Sequence, residues 1–177
     1  MIWAVDPLLS YALSCQESLI RLIREFVECE SPSGDTAALA RFHDLVTARI
    51  GSMAEVRTLK GGHLRCEFDL PGRKKQGQTL VLGHSDTVWA AGTLAKMPFR
   101  EAEGRLWGPG VLDMKAGLAF FLCAVHGLRE LGLPVASRLV LLLNTDEEIG
   151  SGSSREFTER EAKRSKAVLV LEPATGL

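Results

Sequence analysis

Residues 139–148 read LVLLLNTDEE, a short apolar run that ends abruptly in three acidic residues. A run of this length followed by charge is typical of a buried strand that leaves the core at its end. In open α/β sheets, ligands bind beyond the carboxyl ends of the strands. The carboxylates of Asp146, Glu147 and Glu148 are therefore candidates for metal binding or acid–base chemistry; the alternative is that they open a helix and complement its dipole.

Patterns typical of strands and helices alternate along the rest of the chain. The predicted strands lie at 63–70, 79–82, 138–143 and 167–171, a hairpin at 99–107, and helices at 7–27, 35–50, 114–131 and 154–163. This order predicts an α/β sandwich. His43 has charged neighbours and is predicted to be a surface residue rather than a ligand, and His63 and His126 also lie outside any ligand pattern.

Composition and charge narrow the class of protein. The chain has 177 residues, 46% of them hydrophobic, which is enough for one domain with its own core. A net charge of −1 offers no electrostatic footprint for nucleic acid. The four cysteines form no CxxC pair, so no disulfide framework is expected. No leader pattern opens the chain and no apolar run approaches the length of a membrane span, so we expect a cytoplasmic protein without a membrane partner.

Potential metal ligands follow three of the predicted strands or open a helix. The strand at 79–82 runs into His84, the strand at 167–171 runs into Glu172, and Asp113 opens the helix at 114–131. Each residue alone has a structural explanation: a core histidine, a residue that ends a strand, or a helix cap. Together with the acidic run after residue 143, they predict a site at one edge of one sheet.

The residue types at this edge fit a metal centre. One imidazole and several carboxylates form a mixed nitrogen and oxygen ligand set that suits Zn²⁺, with Co²⁺ or Mn²⁺ as alternatives. Asp86 follows His84 by two positions. A carboxylate near a liganding histidine can hold its second ring nitrogen and fix its tautomer. We therefore predict that Asp86 orients His84.

Four ordered segments carry a resemblance to a known family. They are GHSDTV at 83–88, WGPGVLDMKAG at 107–117, NTDEEIGS at 144–151 and LEP at 171–173. The chain resembles the zinc-dependent aminoacylase/carboxypeptidase family, which includes acetylornithine deacetylase, succinyl-diaminopimelate desuccinylase and peptidase T. The segment GTLAKMPFR at 92–100 is most similar to the glutamate carboxypeptidase branch. The resemblance implies a three-layer α/β catalytic domain with a central mixed sheet flanked by helices.

The resemblance also implies roles for individual residues. Asp113 would bridge two zinc ions. The peptide bond between Asp113 and Met114 would be cis. His84 and Glu172 would complete one zinc site, and Glu148 would bind the other zinc. Glu147 would be the general base in hydrolysis of the amide bond of a peptide or N-acyl amino acid, with release of a C-terminal glutamate as one candidate reaction.

Members of the family are longer than this chain. The resemblance implies that residues 1–177 are the amino-terminal part of the catalytic domain, which would leave the fold incomplete at its C-terminus. A lid and dimerisation domain, and the catalytic part that supplies the last zinc-binding histidine, would lie outside it, so we expect the truncated chain to be impaired or inactive. A full-length relative would form a homodimer. The alternative is a non-catalytic fragment, or an interaction module that oligomerises through an exposed sheet edge and retains a partial metal site.

Overall fold

The computed structural model describes residues 6–173. The helices are α1 Pro7–Ser14, α2 Gln16–Glu28, α3 Thr36–Ile50, α4 Ala116–Glu130 and α5 Arg155–Lys163. The strands are β1 Ala54–Thr58, β2 Leu64–Phe68, β3 Gln78–His84, β4 Arg100–Ala102, β5 Arg105–Trp107, β6 Arg138–Asn144 and β7 Ala167–Val170. A main sheet has the order β1-β2-β6-β3-β7, and β4 and β5 form the separate predicted hairpin.

The main sheet is mixed, and its parallel part positions the candidate site. β1 and β2 are antiparallel, as are β2 and β6, whereas β3 runs parallel to both of its neighbours, β6 and β7. His84 lies opposite Asn144 in the ladder of β3 and β6, and Leu82 lies opposite Val170 in the ladder of β3 and β7. The carboxyl ends of these three strands therefore meet at one edge of the sheet.

Helices cover both faces of the sheet. Leu141 and Leu143 of β6 pack on one face in the large core that also contains buried residues of α2, α3 and α4. Val140 and Leu142 point to the opposite face, where Phe157 of α5 packs against them. Successive residues of a strand point to opposite faces, so a continuous apolar strand such as β6 requires cover on both sides. The predicted three-layer α/β fold with a mixed central sheet is confirmed.

Three local predictions differ from the structure. The helix predicted at 7–27 is two helices, because the chain turns at Cys15. The turn lets the ring of Tyr11 in α1 pack closely on Gly127 of α4, where an added Cβ would lie only 2.7 Å from Tyr11 Cε1. Strand β1 was not predicted, because it is a largely exposed edge strand with little apolar character. Helix α4 begins at Ala116 because Asp113 and Met114 have non-helical dihedral angles.

The expectations about membrane spans and about disulfide bonds can also be compared with the structure. We expected no apolar run long enough for a membrane span, but the helical stretch Val111–Glu130, with a mean hydropathy of 1.5, is long and apolar enough by length and composition alone. This stretch includes α4, whose residues Leu118 and Leu122 are buried in the core. All four cysteines are free in the structure. Residues 1–5, on which the prediction of no leader rests, lie outside the described residues.

Candidate metal centre

His84 is the last residue of β3 and lies at the centre of the candidate site. Its side chain is 1% exposed. The Nε2 atom lies 3.0 Å from Asp113 Oδ1 and 2.9 Å from Glu172 Oε1. The Nδ1 atom lies 2.9 Å from the main-chain oxygen of Asp86 and 3.4 Å from its carboxylate. One ring nitrogen therefore faces two carboxylates while the other is held by a single residue, an arrangement that fixes the ring orientation.

The charges around His84 determine its protonation in the metal-free protein. Burial lowers the pKa of His84, but the hydrogen bond that its ring donates to Asp86 and the negative charge of Glu172 outweigh it and raise the pKa to about 9. Burial raises the pKa of Glu172; the nearby charge of His84 lowers it, but burial together with the charge of Asp113 keeps the pKa raised. Acidic groups crowded in this way are stabilised by a shared proton or by a cation.

Asp113 reaches the cluster through an irregular helical turn at Val111–Lys115. The peptide bond between Asp113 and Met114 is cis, which confirms the expectation drawn from the resemblance. The Met114 side chain is buried under the end of β3, where its sulfur accepts a hydrogen bond of 3.1 Å from the main-chain N–H of His84. Gly83 makes room for it, because a Cβ there would lie 2.8 Å from the methionine methyl group.

Asp86 connects His84 to the residues after β6, which we call the acidic turn (residues 145–153). The Asp86 carboxylate is buried and accepts hydrogen bonds of 3.2 Å from the main-chain N–H groups of both Glu147 and Glu148. It also accepts a hydrogen bond of 2.8 Å from the Ser33 hydroxyl. Burial raises the pKa of Asp86, but the hydrogen bonds from His84 and Ser33 outweigh it, so the pKa is lowered.

The three acidic residues of the turn have different surroundings. The Glu147 carboxylate is 49% exposed and lies 4.0 Å from His84 Nε2. Burial and the nearby charge of Asp113 raise the pKa of Glu148, whose carboxylate is not part of the group formed by His84, Asp113 and Glu172. Asp146 instead accepts a hydrogen bond of 2.8 Å from the Ser153 hydroxyl, so its role is within the turn.

The metal cluster consists of His84, Asp113 and Glu172. One ligand atom from each residue lies within 4.8 Å of the other two. Within residues 6–173, no second group of three such residues meets the same criterion. An imidazole nitrogen and two carboxylate oxygens at this spacing fit a divalent cation such as Zn²⁺. The structure thus brings together three of the four predicted metal ligands, with Glu148 on the adjacent turn.

The sequence prediction for His43 is wrong. His43 is 7% exposed, and its Nε2 lies 2.8 Å from the Ser85 hydroxyl oxygen. That hydroxyl donates to the main-chain oxygen of Asn144 and therefore accepts its hydrogen bond from the histidine. The charged neighbours of His43 concealed its position on the buried face of α3, four residues after Leu39 and three before Val46. That helical spacing was the signal in the sequence.

A cavity opens beside the metal cluster. Its volume is about 350 Å³, and its lining includes His84, Glu147, Glu172, Asn144 and Arg155. The Asn144 Oδ1 atom is buried and makes no hydrogen bond. The cavity therefore brings a small molecule next to the exposed carboxylate of Glu147 and to two of the three residues of the cluster, His84 and Glu172.

Comparisons with known proteins agree with this geometry. Residues 80–176 match the model of peptidase family M20/M25/M40. The chain is 33% identical over 165 residues to Carboxypeptidase G2 from Pseudomonas sp. (strain RS-16), a match that covers 91% of this chain and 40% of that protein. The chain therefore spans about two fifths of the length of this relative.

Solved structures share the fold. Human carnosine dipeptidase 1 superimposes with a TM-score of 0.79 at 19% identity, over 93% of this chain and 40% of that one. Aminopeptidase PepT from Bacillus cereus gives a TM-score of 0.74 at 22% identity, over 90% of this chain and 44% of that one. The family match spans the strand ends that carry His84 and Glu172 and the segment that carries Asp113. By its sequence, and with a fold that agrees, this chain is a member of peptidase family M20/M25/M40.

Proposed function

We propose that this chain carries the metal-binding part of a zinc-dependent hydrolase that cleaves the amide bond of a peptide or N-acyl amino acid. The observation that carries the proposal is the contact of His84 Nε2 with both Asp113 Oδ1 at 3.0 Å and Glu172 Oε1 at 2.9 Å. Membership of the family, and relatives named as a carboxypeptidase, a dipeptidase and an aminopeptidase, support this reaction class. Release of a C-terminal glutamate is the finer proposal.

The proposal assigns the ligands as follows. His84 and Glu172 would hold one Zn²⁺, Asp113 would serve both this ion and a second, and Glu148 would contribute to the second. Co²⁺ or Mn²⁺ suits the same donors. A bound divalent cation supplies Lewis acidity that polarises a carbonyl and lowers the pKa of water. Asp86 acts through His84, because its contacts with Nδ1 leave Nε2 directed at the cluster.

Glu147 is the general base in this proposal. Its carboxylate lies on the open side of the cluster, 4.0 Å from His84 Nε2, and it is half exposed rather than buried with the ligands. There it accepts a proton from the attacking water and later delivers that proton to the leaving amine. The main-chain N–H of Glu147 is held by Asp86, which limits movement of the base relative to the ligands. General bases of this kind contribute about 10²–10⁴ to the rate.

We further propose that the 177-residue chain by itself binds zinc weakly and turns over little substrate. The described residues 6–173 place a single imidazole in the metal cluster. Zinc in hydrolases usually has at least three protein ligands for each ion, and Glu148 and Asp113 alone provide fewer for the second. An oxyanion stabiliser, which is worth about 3–4 kcal/mol of barrier, is not among the residues assigned here.

A zinc titration of the purified chain by calorimetry tests the proposal. We expect the unaltered chain and the His126→Ala variant to bind Zn²⁺ and the His84→Ala variant to lose binding. His126 is an exposed histidine on α4 and serves as the matched control. Equal zinc binding by the three proteins would overturn the assignment of the metal cluster.

A second candidate function is an interaction module that assembles through a sheet edge. The observation that favours it is β7, which lies at one edge of the main sheet with Val168, Leu169 and Val170 exposed by 42%, 54% and 58%. Exposed apolar edge strands pair readily with other chains. Sizing of the same metal-free sample decides this alternative: concentration-dependent assembly that Val168→Lys abolishes supports it, and a monomer at all concentrations removes it.

A further inference from the structure

His63 lies immediately before β2, beside the acidic turn. β2 pairs antiparallel with β6, with Leu64 opposite Leu143, so the residue before β2 faces the residues that follow β6. His63 is fully buried, with 0% of its surface exposed. It is not part of the metal cluster. A buried polar ring in this position needs hydrogen-bond partners, and it finds them at both ends of the acidic turn.

The ring of His63 links the first and last residues of the turn. The main-chain N–H of Thr145 donates to Nδ1 over 3.1 Å. Since Nδ1 accepts, the neutral ring carries its proton on Nε2, which donates to the Ser153 hydroxyl oxygen over 3.1 Å. The Ser153 hydroxyl in turn donates to Asp146 Oδ2 over 2.8 Å. Residues 145, 146 and 153 are thereby tied to one side chain.

The same turn is closed by its own main chain around the two glutamates. The N–H of Ser151 donates to the Asp146 main-chain oxygen over 2.7 Å, and the N–H of Gly150 donates to that of Glu147 over 2.9 Å. Glu147 and Glu148 therefore lie inside a loop whose two ends His63 holds together. On the opposite side, their N–H groups are bound by Asp86.

The space around His63 allows one orientation of the ring. Gly61 has φ +88°, and a Cβ there would lie 2.7 Å from His63 Nε2. The ring of Phe157 packs on the other side, with the two centroids 5.7 Å apart. Burial lowers the pKa of His63, which favours the neutral ring with Nδ1 as an acceptor. The ring is thus confined by Gly61 and Phe157.

We propose that His63 is a positioning residue that sets the placement of Glu147 and Glu148 through Thr145, Ser153 and Asp146. The inference rests on the proposed function for its catalytic meaning, because Glu147 is the base and Glu148 a ligand in that proposal. The placement of the turn by His63 is a physical claim that can be tested without turnover.

The test uses two variants of the 177-residue chain. In His63→Gln, the side-chain amide keeps one acceptor for Thr145 and one donor for Ser153, whereas His63→Leu fills the space without either. Amide hydrogen exchange measured by NMR reports on the N–H groups of Glu147 and Glu148 and, as an internal reference, on the ladder of β3 and β6. For His63→Leu we expect exchange of the two glutamate amides to accelerate about tenfold more than exchange in the ladder. For His63→Gln we expect the two regions to stay within about threefold of each other.

Two outcomes would overturn the inference. Equal acceleration in the turn and in the ladder would mean that His63 contributes only to general stability. A glutamine variant as impaired as the leucine variant would mean that the hydrogen bonds are irrelevant. If His63→Leu does not fold, Ser153→Ala breaks the same connection with a smaller change and carries the same expectation. A zinc titration of the unaltered chain tests the proposed function separately, since failure to bind zinc leaves the exchange result intact.

Discussion

Asp86 Oδ2 accepts a hydrogen bond of 3.2 Å from the main-chain N–H of Glu148, so the carboxylate that lies 3.4 Å from His84 Nδ1 also holds the acidic turn. The second oxygen accepts an equivalent bond from Glu147. The imidazole and the main chain of the two glutamates are therefore all in contact with one buried residue, Asp86. A change at Asp86 should alter metal affinity and the stability of the turn together.

The variant Asp86→Asn tests this dependence. An asparagine has one acceptor oxygen and places an amide N–H₂ group against an N–H donor, so it leaves a buried donor unsatisfied. We expect the free energy of unfolding to fall by about 1–3 kcal/mol. We expect zinc affinity to fall by about 10–100-fold. Urea unfolding and a zinc titration measure the two effects.

Asp69→Asn is the matched control for this substitution. Asp69 is exposed, and within residues 6–173 its side chain makes no hydrogen bond. The Asp69→Asn variant should leave the free energy of unfolding and the zinc affinity unchanged within the error of the measurement. A comparable loss of zinc affinity in both variants would mean that net charge, rather than the contacts of Asp86, controls the cluster.

The variant Glu147→Gln separates the base from the ligands. We expect it to bind zinc as tightly as the unaltered chain, because Glu147 is not part of the metal cluster. Glu172→Gln removes a cluster carboxylate and should lose zinc. In any form of the protein that hydrolyses an N-acyl amino acid, Glu147→Gln should reduce turnover by about 10²–10⁴. Loss of zinc from Glu147→Gln would instead identify this residue as a ligand.

His43 should make stability depend on pH. Burial lowers the pKa of His43 from 6.5 to about 4. The unfolded chain therefore binds a proton at higher pH than the folded one, so the contribution of His43 is fully present above its unfolded pKa and is lost as pH falls toward 4. Within this window the free energy of unfolding should decrease by up to about 1.4 kcal/mol per pH unit.

Urea unfolding of the metal-free chain at a series of pH values measures this effect. The variant His43→Gln keeps a donor for Ser85 and cannot be protonated, so its stability should change less between pH 6.5 and 4. Other groups titrate in both proteins and cancel in the difference. Parallel curves for the two proteins would show that His43 is accessible to protons in the folded state.

Gly117 lies in α4, where the helix packs against Leu171, the residue before Glu172. A Cβ at this position would collide with the main-chain oxygen of Leu171. Alanine normally stabilises a helix relative to glycine by about 1 kcal/mol. For Gly117→Ala we nevertheless expect a net destabilisation of about 1–3 kcal/mol and weaker zinc binding, because Leu171 and Glu172 must move. Thermal unfolding and a zinc titration measure both, and Gly152→Ala, where a Cβ meets nothing within 4 Å, is the control.

The sequence predicts the strand ends of this fold well, and the reason is physical. The interior residues of β3 and β6, 80–82 and 139–143, are apolar and largely buried, so the change to His84 and to the acidic turn is abrupt. Parallel strands place such ends at one edge. The approach of Glu172 to His84 follows from the parallel pairing of β7 with β3.

The buried histidines could not be predicted in the same way. His43 and His63 are accommodated by hydrogen-bond partners that are distant in sequence: Ser85 for His43, and Thr145 and Ser153 for His63. The pairing of β2 with β6, which brings His63 to Thr145, leaves no mark in the local pattern. The cis bond at Asp113 was expected only from the resemblance and not from any property of the residues.

The position of β7 has a consequence for the order in which the site forms during synthesis. β7 pairs with β3 across a parallel ladder of four residue pairs, after the chain has passed through β6 and α5. Glu172 follows β7, so His84 and Asp113 leave the ribosome well before their third partner. A nascent chain therefore holds an incomplete metal cluster until β7 docks, and a cation that binds all three residues would favour the chain that has completed this long-range step.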